Sequence, residues 1–381
     1  MQPPLRICMV GPSLDILGGQ AVQLERLRAG MAGVGEIDVA TLVVNPRLPG
    51  LLRTLQRVKY LRTVATESAY LLALIARIRH FDLIHVFSAS YFSFVLAPTP
   101  AILISKLLRK KVVLNYRSGE ANDHLKRWRR SALPIVRLAD QVVVPSGYLV
   151  EVFREVGVPA VPIPNIVDVE RFRFRVRRPL RPVFFANRNL EPLYNVGCVL
   201  RAFGRIQERW PEARLMLAGD GSQREALHSE AERMGLRNIQ WIGRVAPDRI
   251  SDLYDEADIY LNSSDIDNMP TSLIEAFAAG LPVVTTRAGG IPYIVEDEAT
   301  GMLVDRDDDE ALAGAAMWLL EEPDFAAALA RRARAKCEAL YTWNAVRDRW
   351  IALYTGVAGR AAACPQGPRR SIGRSPAATP E

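Results

Sequence analysis

The stretch that most constrains this chain runs from Ile259 to Pro292. Ile259-Tyr-Leu261 reads as a short buried strand, and a polar loop follows it. Pro270 then opens a helix as its first residue, where a missing N–H costs nothing. Gly280 closes that helix, and Pro282-Val-Val-Thr-Thr286 begins another strand. The amides of Thr271, Ser272 and Leu273 are expected to point freely out of the helix N-terminus, which suits a phosphate. Glu275 lies within two turns of that end, and Asp267 lies in the loop ahead of it. Two carboxylates beside an anion site could grip the hydroxyls of a sugar whose phosphate sits on the amides.

The same alternation runs through both halves. Short apolar runs at 6–11, 37–44, 81–87, 111–116 and 141–146 predict one set of strands, with helices between them over 51–78 and 97–108. Further runs at 183–186, 214–218 and 239–245 predict a second set. Two Rossmann-like sheets are therefore expected. Three prolines from Pro159 to Pro164 favour an extended linker between them. In the 51–78 helix, the Arg and Lys residues are expected on the outward face. Gly18 and Gly19 open an early helix, where the lack of side chains lets backbone approach a ligand. From Gly359 onward, small residues, proline and arginine predict a disordered tail.

The 381 residues suit two domains, and 49% hydrophobic with 24% charged residues is ordinary for a soluble protein. No secretory signal is visible at the start, and no apolar run is long enough to span a bilayer. Cys8, Cys198, Cys337 and Cys364 have neither metal-type nor disulfide-type spacing, so a reduced, cytoplasmic setting is expected. The net charge of +7 is uneven: residues 1–170 hold 21 Lys/Arg against 13 Asp/Glu, and the rest hold 28 against 29. The excess gathers at Arg53, Arg57, Lys59 and Arg62, at 109–111, and at 126–130. It reads as a solvated face or as an anionic membrane surface, with Leu125 and Trp128 beside the last run. No nucleic-acid reader motif accompanies it, so nucleic acid is not an expected partner.

Asp267, seven residues and then Glu275, with Pro270 three places after the aspartate, resembles the signature of the glycosyl transferases group 1 family. Gly280-Leu-Pro-Val-Val and Gly289-Gly-Ile-Pro292 continue the likeness, and Asn165, Asp168 and Phe172 resemble the family's crossing between domains. The resemblance implies the α/β GT-B fold, two Rossmann-like domains facing a central cleft. It divides the chain into an acceptor-binding domain (1–165), a nucleotide-sugar-binding domain (166–340), a helix crossing back to the first domain (341–358) and a tail (359–381). It also implies a retaining transferase that moves a sugar from a nucleoside-diphosphate sugar to an acceptor hydroxyl, with no metal or cofactor. The acceptor would be a glycan or, if the basic first domain rests on the inner face of the cytoplasmic membrane as its charge suggests, lipid-linked. Arg188, Asp267 and Glu275 take the catalytic positions. Gly18, Gly19, Gly219, Gly243, Val245, Asn268, Met269, Pro270, Thr271 and Ser272 take the donor-binding ones.

Three departures stand out. The family usually has Glu where Asp267 stands, a lysine where Tyr194 stands, and a histidine where Arg117 stands. Arg287 is a candidate to replace the lysine, and Arg117, Glu120 and His124 are candidates on the acceptor side. The departures keep open a nucleotide-sugar-binding protein without transfer activity, and a GT-B-fold epimerase is a further alternative. Asp265-Ile-Asp267 matches a metal-binding Asp-x-Asp only as a short motif, and the downstream Pro270 and Glu275 favour the metal-free reading.

Overall fold

In the computed structural model, residues 3–15, 18–48, 50 and 58–360 are described. Runs of apolar and β-branched residues form two six-stranded sheets in which every pairing is parallel. The first contains β1 (Leu5–Gly11), β2 (Ile37–Val43), β3 (Leu83–Ser88), β4 (Lys111–Tyr116), β5 (Gln141–Val144) and β6 (Ala160–Pro162), in the order β2-β1-β3-β4-β5-β6. The second contains β7 (Val183–Ala186), β8 (Arg214–Ala218), β9 (Ile239–Gly243), β10 (Ile259–Asn262), β11 (Val283–Thr286) and β12 (Met302–Val304), in the order β12-β11-β10-β7-β8-β9. All six residues of β3 are buried, as a parallel strand covered on both faces requires. This is the GT-B arrangement.

The first sheet is dressed by α1 (Gly19–Met31), α2 (Lys59–Ile78), α3 (Tyr91–Leu96), α4 (Pro98–Leu107), α5 (Ala121–Arg127), α6 (Arg129–Val136) and α7 (Gly147–Glu155). The second carries α8 (Val196–Arg209), α9 (Arg224–Arg233), α10 (Ile250–Glu256), α11 (Thr271–Ala279), α12 (Asp309–Glu321) and α13 (Pro323–Leu340). A last helix, α14 (Trp343–Val357), returns to the first sheet. Its Trp350 and Tyr354 are buried in a core shared with Leu5, Ile7 and Leu83. The Tyr354 hydroxyl lies 2.6 Å from His85 Nδ1.

Several local expectations change. The proline-rich linker starts as strand β6, whose Ala160 and Pro162 pair with Val142 and Val144. An edge strand tolerates proline because its outer side needs no donor. The helix expected over 97–108 is α4, opened by Pro98, and an unexpected short helix, α3, precedes it from Tyr91, which adopts φ 53. The loop after β4 turns helical at Ala121. Leu125 is buried rather than at the basic surface. Of the helix predicted over 51–78, residues 51–57 lie outside the described residues, Arg53 and Arg57 among them. Arg62 and Arg77 are exposed on α2 as expected, but Leu61, Val64, Leu72 and Ile75 are exposed there too. Cys8, Cys198 and Cys337 are buried free thiols, and burial pushes each up to about 12. Among the described residues, no helix is long and apolar enough to cross a membrane.

Candidate active site

A cleft of about 590 Å³ lies between the sheets, lined from both sides. On the second domain's side it is built around α11, whose residues Ser272 to Ala279 are all buried. The helix begins at Thr271 rather than Pro270, which caps it in an extended conformation. Leu273 is not free, since its amide donates to the Pro270 carbonyl at 3.2 Å. The amides of Thr271 and Ser272 remain as the open donors at this helix end.

Arg188 and Asp267 meet here. Arg188 Nη2 donates to Asp267 Oδ2 at 2.6 Å, and Nη1 to the Ser272 hydroxyl at 3.4 Å. Asp267 also accepts from the Ser264 hydroxyl at 3.2 Å and from the Asn268 amide at 2.9 Å. The Arg188 guanidinium lies over the Tyr194 ring, 4.1 Å from its centroid. Burial opposes the charge on Arg188, but the Asp267 carboxylate outweighs it and raises the pKa above the usual arginine value. Tyr194 thus fills the position of a second cation with the aromatic floor under the first. Arg287 supplies no replacement cation: it pairs with Asp297 at 2.5 Å, away from the cleft lining. Asp265 turns from Asp267 and accepts from Asn195 Nδ2 at 3.3 Å, so the Asp-x-Asp pair does not converge.

Glu275 faces the other domain. Its Oε1 accepts from Arg26 Nη2 on α1 at 2.8 Å, and its Oε2 from the Tyr254 hydroxyl at 3.3 Å. Both oxygens keep a lone pair in reserve for a ligand hydroxyl. Residues that sequence reasoning missed tie the loop before α11 and the crossing to the first domain. Asn165 Nδ2 donates to the Met269 carbonyl at 2.7 Å, the Ser146 hydroxyl donates to Asn268 Oδ1, and Gln23 exchanges two hydrogen bonds with the Ile166 backbone at 2.7 and 2.8 Å. Only Asn165 had a local signal, within the crossing motif. Gly290 belongs to the same cradle, because a Cβ there would fall 2.0 Å from the Asn268 carbonyl oxygen.

Gly18, Gly19, Asn268, Met269, Pro270, Thr271 and Ser272 line the cleft, and a Cβ on Gly18 would meet nothing within 4 Å. Gly219, Gly243 and Val245 do not line it. Gly219 adopts φ 144, and a Cβ there would lie 2.2 Å from the Arg188 carbonyl oxygen, so its part is to seat the Arg188 loop. Its amide donates to the Gly243 carbonyl at 2.8 Å, and half-buried Val245 packs on the second domain's core.

Across the cleft, Arg117 and Glu120 line the wall and His124 does not. His124 is buried among aromatic rings, with Nδ1 2.6 Å from the Tyr116 hydroxyl, and burial lowers it to about 4. Arg117 is the second cation on the lining, and no carboxylate pairs with it among the described residues. Its Nη1 donates to Asn115 Oδ1 at 3.2 Å, and its buried Nη2 has no partner. Burial pushes its pKa down to about 9, well above neutral pH, so it stays a cation in want of an anion.

This fold, with a helix end, a buried cation and two carboxylates around one interdomain cleft, is the GT-B architecture. Residues 168–336 match the glycosyl transferases group 1 family and residues 17–171 match glycosyltransferase family 4. Together the two matches span residues 17–336, and both are to glycosyltransferase families. The chain is 27% identical over 272 residues to glycogen synthase of Mycobacterium tuberculosis, a match covering 67% of this chain and 65% of that enzyme. It is also 27% identical to the GDP-mannose-dependent alpha-(1-6)-phosphatidylinositol monomannoside mannosyltransferase of Mycolicibacterium smegmatis, over 68% of this chain and 75% of that one. Its fold is similar to that of Anabaena HepE, solved in complex with UDP-glucose: the TM-score is 0.72 at 18% identity, covering 92% of this chain and 100% of that one.

Proposed function

We propose that the chain transfers a hexose-type sugar from a nucleoside-diphosphate sugar to an acceptor hydroxyl, with retention at the anomeric carbon. The observation that carries this reading is the meeting of Arg188 with Asp267, at 2.6 Å, beside the open amides of α11 in one cleft. The bond from the anomeric carbon to the diphosphate oxygen breaks, and its electron pair goes to the diphosphate. The acceptor oxygen bonds the same face of that carbon, and its proton goes to the departing diphosphate. Charge that grows on the leaving group would be met by Arg188 and by the Thr271 and Ser272 amides, donors fixed before the reaction begins. Asp267 would hold the donor's sugar hydroxyls and Glu275 its ribose.

No resident metal or cofactor enters this proposal. A glycan or lipid-linked acceptor suits the first domain's side of the cleft, and the proposed setting is the cytoplasm. The test is incubation with radiolabelled UDP-glucose and GDP-mannose, each without acceptor. Slow release of free sugar supports the transferase. Binding without turnover would mean a sugar-nucleotide receptor, and a new epimer bound to nucleotide would mean an epimerase. Either result overturns the proposal.

A further inference from the structure

The outward layer of the first domain is apolar where a solvated face would be polar. Along α2, Leu61, Val64, Leu72 and Ile75 recur at helical spacing, and Leu72 is 69% exposed. Tyr70, Leu74 and Ile78 on the opposite side of the helix are buried in the core. Helix α4 packs against both α2 and α3 and continues the surface with Leu103 and Leu107, the latter 82% exposed. On α3, Phe92 is 72% exposed. Isolated surface leucines need no explanation, but a run over three touching helices does.

Cations ring this surface. Arg77 and Arg79 stand exposed at the end of α2, and Lys110 Nζ donates to the Arg79 carbonyl at 2.9 Å, joining that end to the end of α4. Past Phe92, Trp128 packs edge-on at 5.4 Å and is followed by exposed Arg129 and Arg130. Neither Arg77 nor these two arginines enters an ion pair among the described residues. Helices α2, α3 and α4 together carry one acid, Glu67. The surface also reaches the site, since Ser93, next to Phe92 in the chain, and Ala97, at the end of α3, line the cleft.

We propose that this face docks on an anionic lipid bilayer, with its leucines and Phe92 among the acyl chains and its arginines on the phosphate headgroups. An apolar stripe with unpaired cations at its rim fits that partner, because the bilayer offers hydrocarbon and negative charge together. The cleft mouth then opens at the membrane. The reading rests on the proposed transferase only in taking the acceptor to be lipid-borne.

The test is flotation of the full chain at low salt with phosphatidylcholine vesicles, with and without phosphatidylglycerol. Flotation is expected only with phosphatidylglycerol, with release as salt screens the headgroups. Leu72→Asp with Ile75→Asp, at exposed positions, should abolish it. Arg77→Gln with Arg79→Gln should lower the partition coefficient on the order of 30-fold, at roughly fivefold per cation. Should the aspartate variant melt early, the glutamine variant decides alone. Absence of flotation with both vesicles, indifference to phosphatidylglycerol, or unchanged flotation of the glutamine variant overturns the proposal. So does a dimer that the aspartate variant dissolves, which would give the face to a second copy. Donor hydrolysis in solution should be equal in all variants, so failure of catalysis and failure of docking are read separately.

Discussion

Arg188→Ala should damage stability and rate by different routes, and the structure lets the two be separated. The side chain makes three contacts: Asp267 at 2.6 Å, the Ser272 hydroxyl at 3.4 Å and the Tyr194 ring at 4.1 Å. Removing it leaves the Asp267 carboxylate, 10% exposed, with only the Ser264 hydroxyl and the Asn268 amide. Breaking a buried pair by deleting one partner costs about 3–5 kcal/mol, and the cleft's access to water places Asp267 near the lower figure. Removing one preorganised donor from a developing negative charge costs about 2–4 kcal/mol in the transition state, roughly 30- to 900-fold in turnover. Urea unfolding would read the first quantity and donor hydrolysis the second. The double variant Arg188→Ala with Asp267→Asn removes the stranded charge, so it should regain most of the stability and none of the rate. Recovery of the rate in the double variant would refute the reasoning, since Arg188 would then serve only to neutralise Asp267.

Gly219→Ala should cut both stability and turnover, because its Cβ would lie 2.2 Å from the Arg188 carbonyl oxygen at φ 144; Gly243→Ala, at φ 73 with open space around it, should cost only about 1 kcal/mol of backbone strain, as paired thermal melts would show. Glu275→Gln should lower turnover severely while the chain stays folded, and near-normal hydrolysis would remove Glu275 from the site; its lost pair with Arg26 should also appear as a lower urea midpoint. Burial holds His85 at about 3, so the folded state keeps it neutral while the unfolded chain takes up a proton below about pH 6.5. Stability should therefore fall as pH drops from there towards 3, by about 1.4 kcal/mol per unit, and urea midpoints of His85→Phe at pH 7 and pH 4.5 should lie closer together than those of the parent chain.

What could be read from the sequence follows how far each signal reaches along the chain. Strand β10, helix α11 and strand β11 occupy fewer than thirty residues, and Pro270 and Gly280 punctuate them, so periodicity and turn chemistry suffice there. The apolar runs of the parallel strands were legible for the same reason. Strand β6 was not, because its prolines read as linker until its place at the sheet edge is known. The exposed leucines of α2 were not legible, because the cations on its outward face say nothing about which leucines the neighbouring helices leave uncovered. At the cleft the distances in sequence are longer still. Arg26 and Glu275 are 249 residues apart and Asn165 and Met269 are 104 apart, and no local pattern marks such partners. Tyr194 shows the consequence most clearly. Read as a sequence position, it is a missing lysine and a reason to doubt the chemistry. Stacked 4.1 Å from the Arg188 guanidinium, it supports the cation that the cleft holds against Asp267, while Arg117, without an ion pair among the described residues, lines the opposite wall. Among the described residues, the two cations on the cleft lining thus come one from each domain, a pairing that no stretch of either domain shows alone.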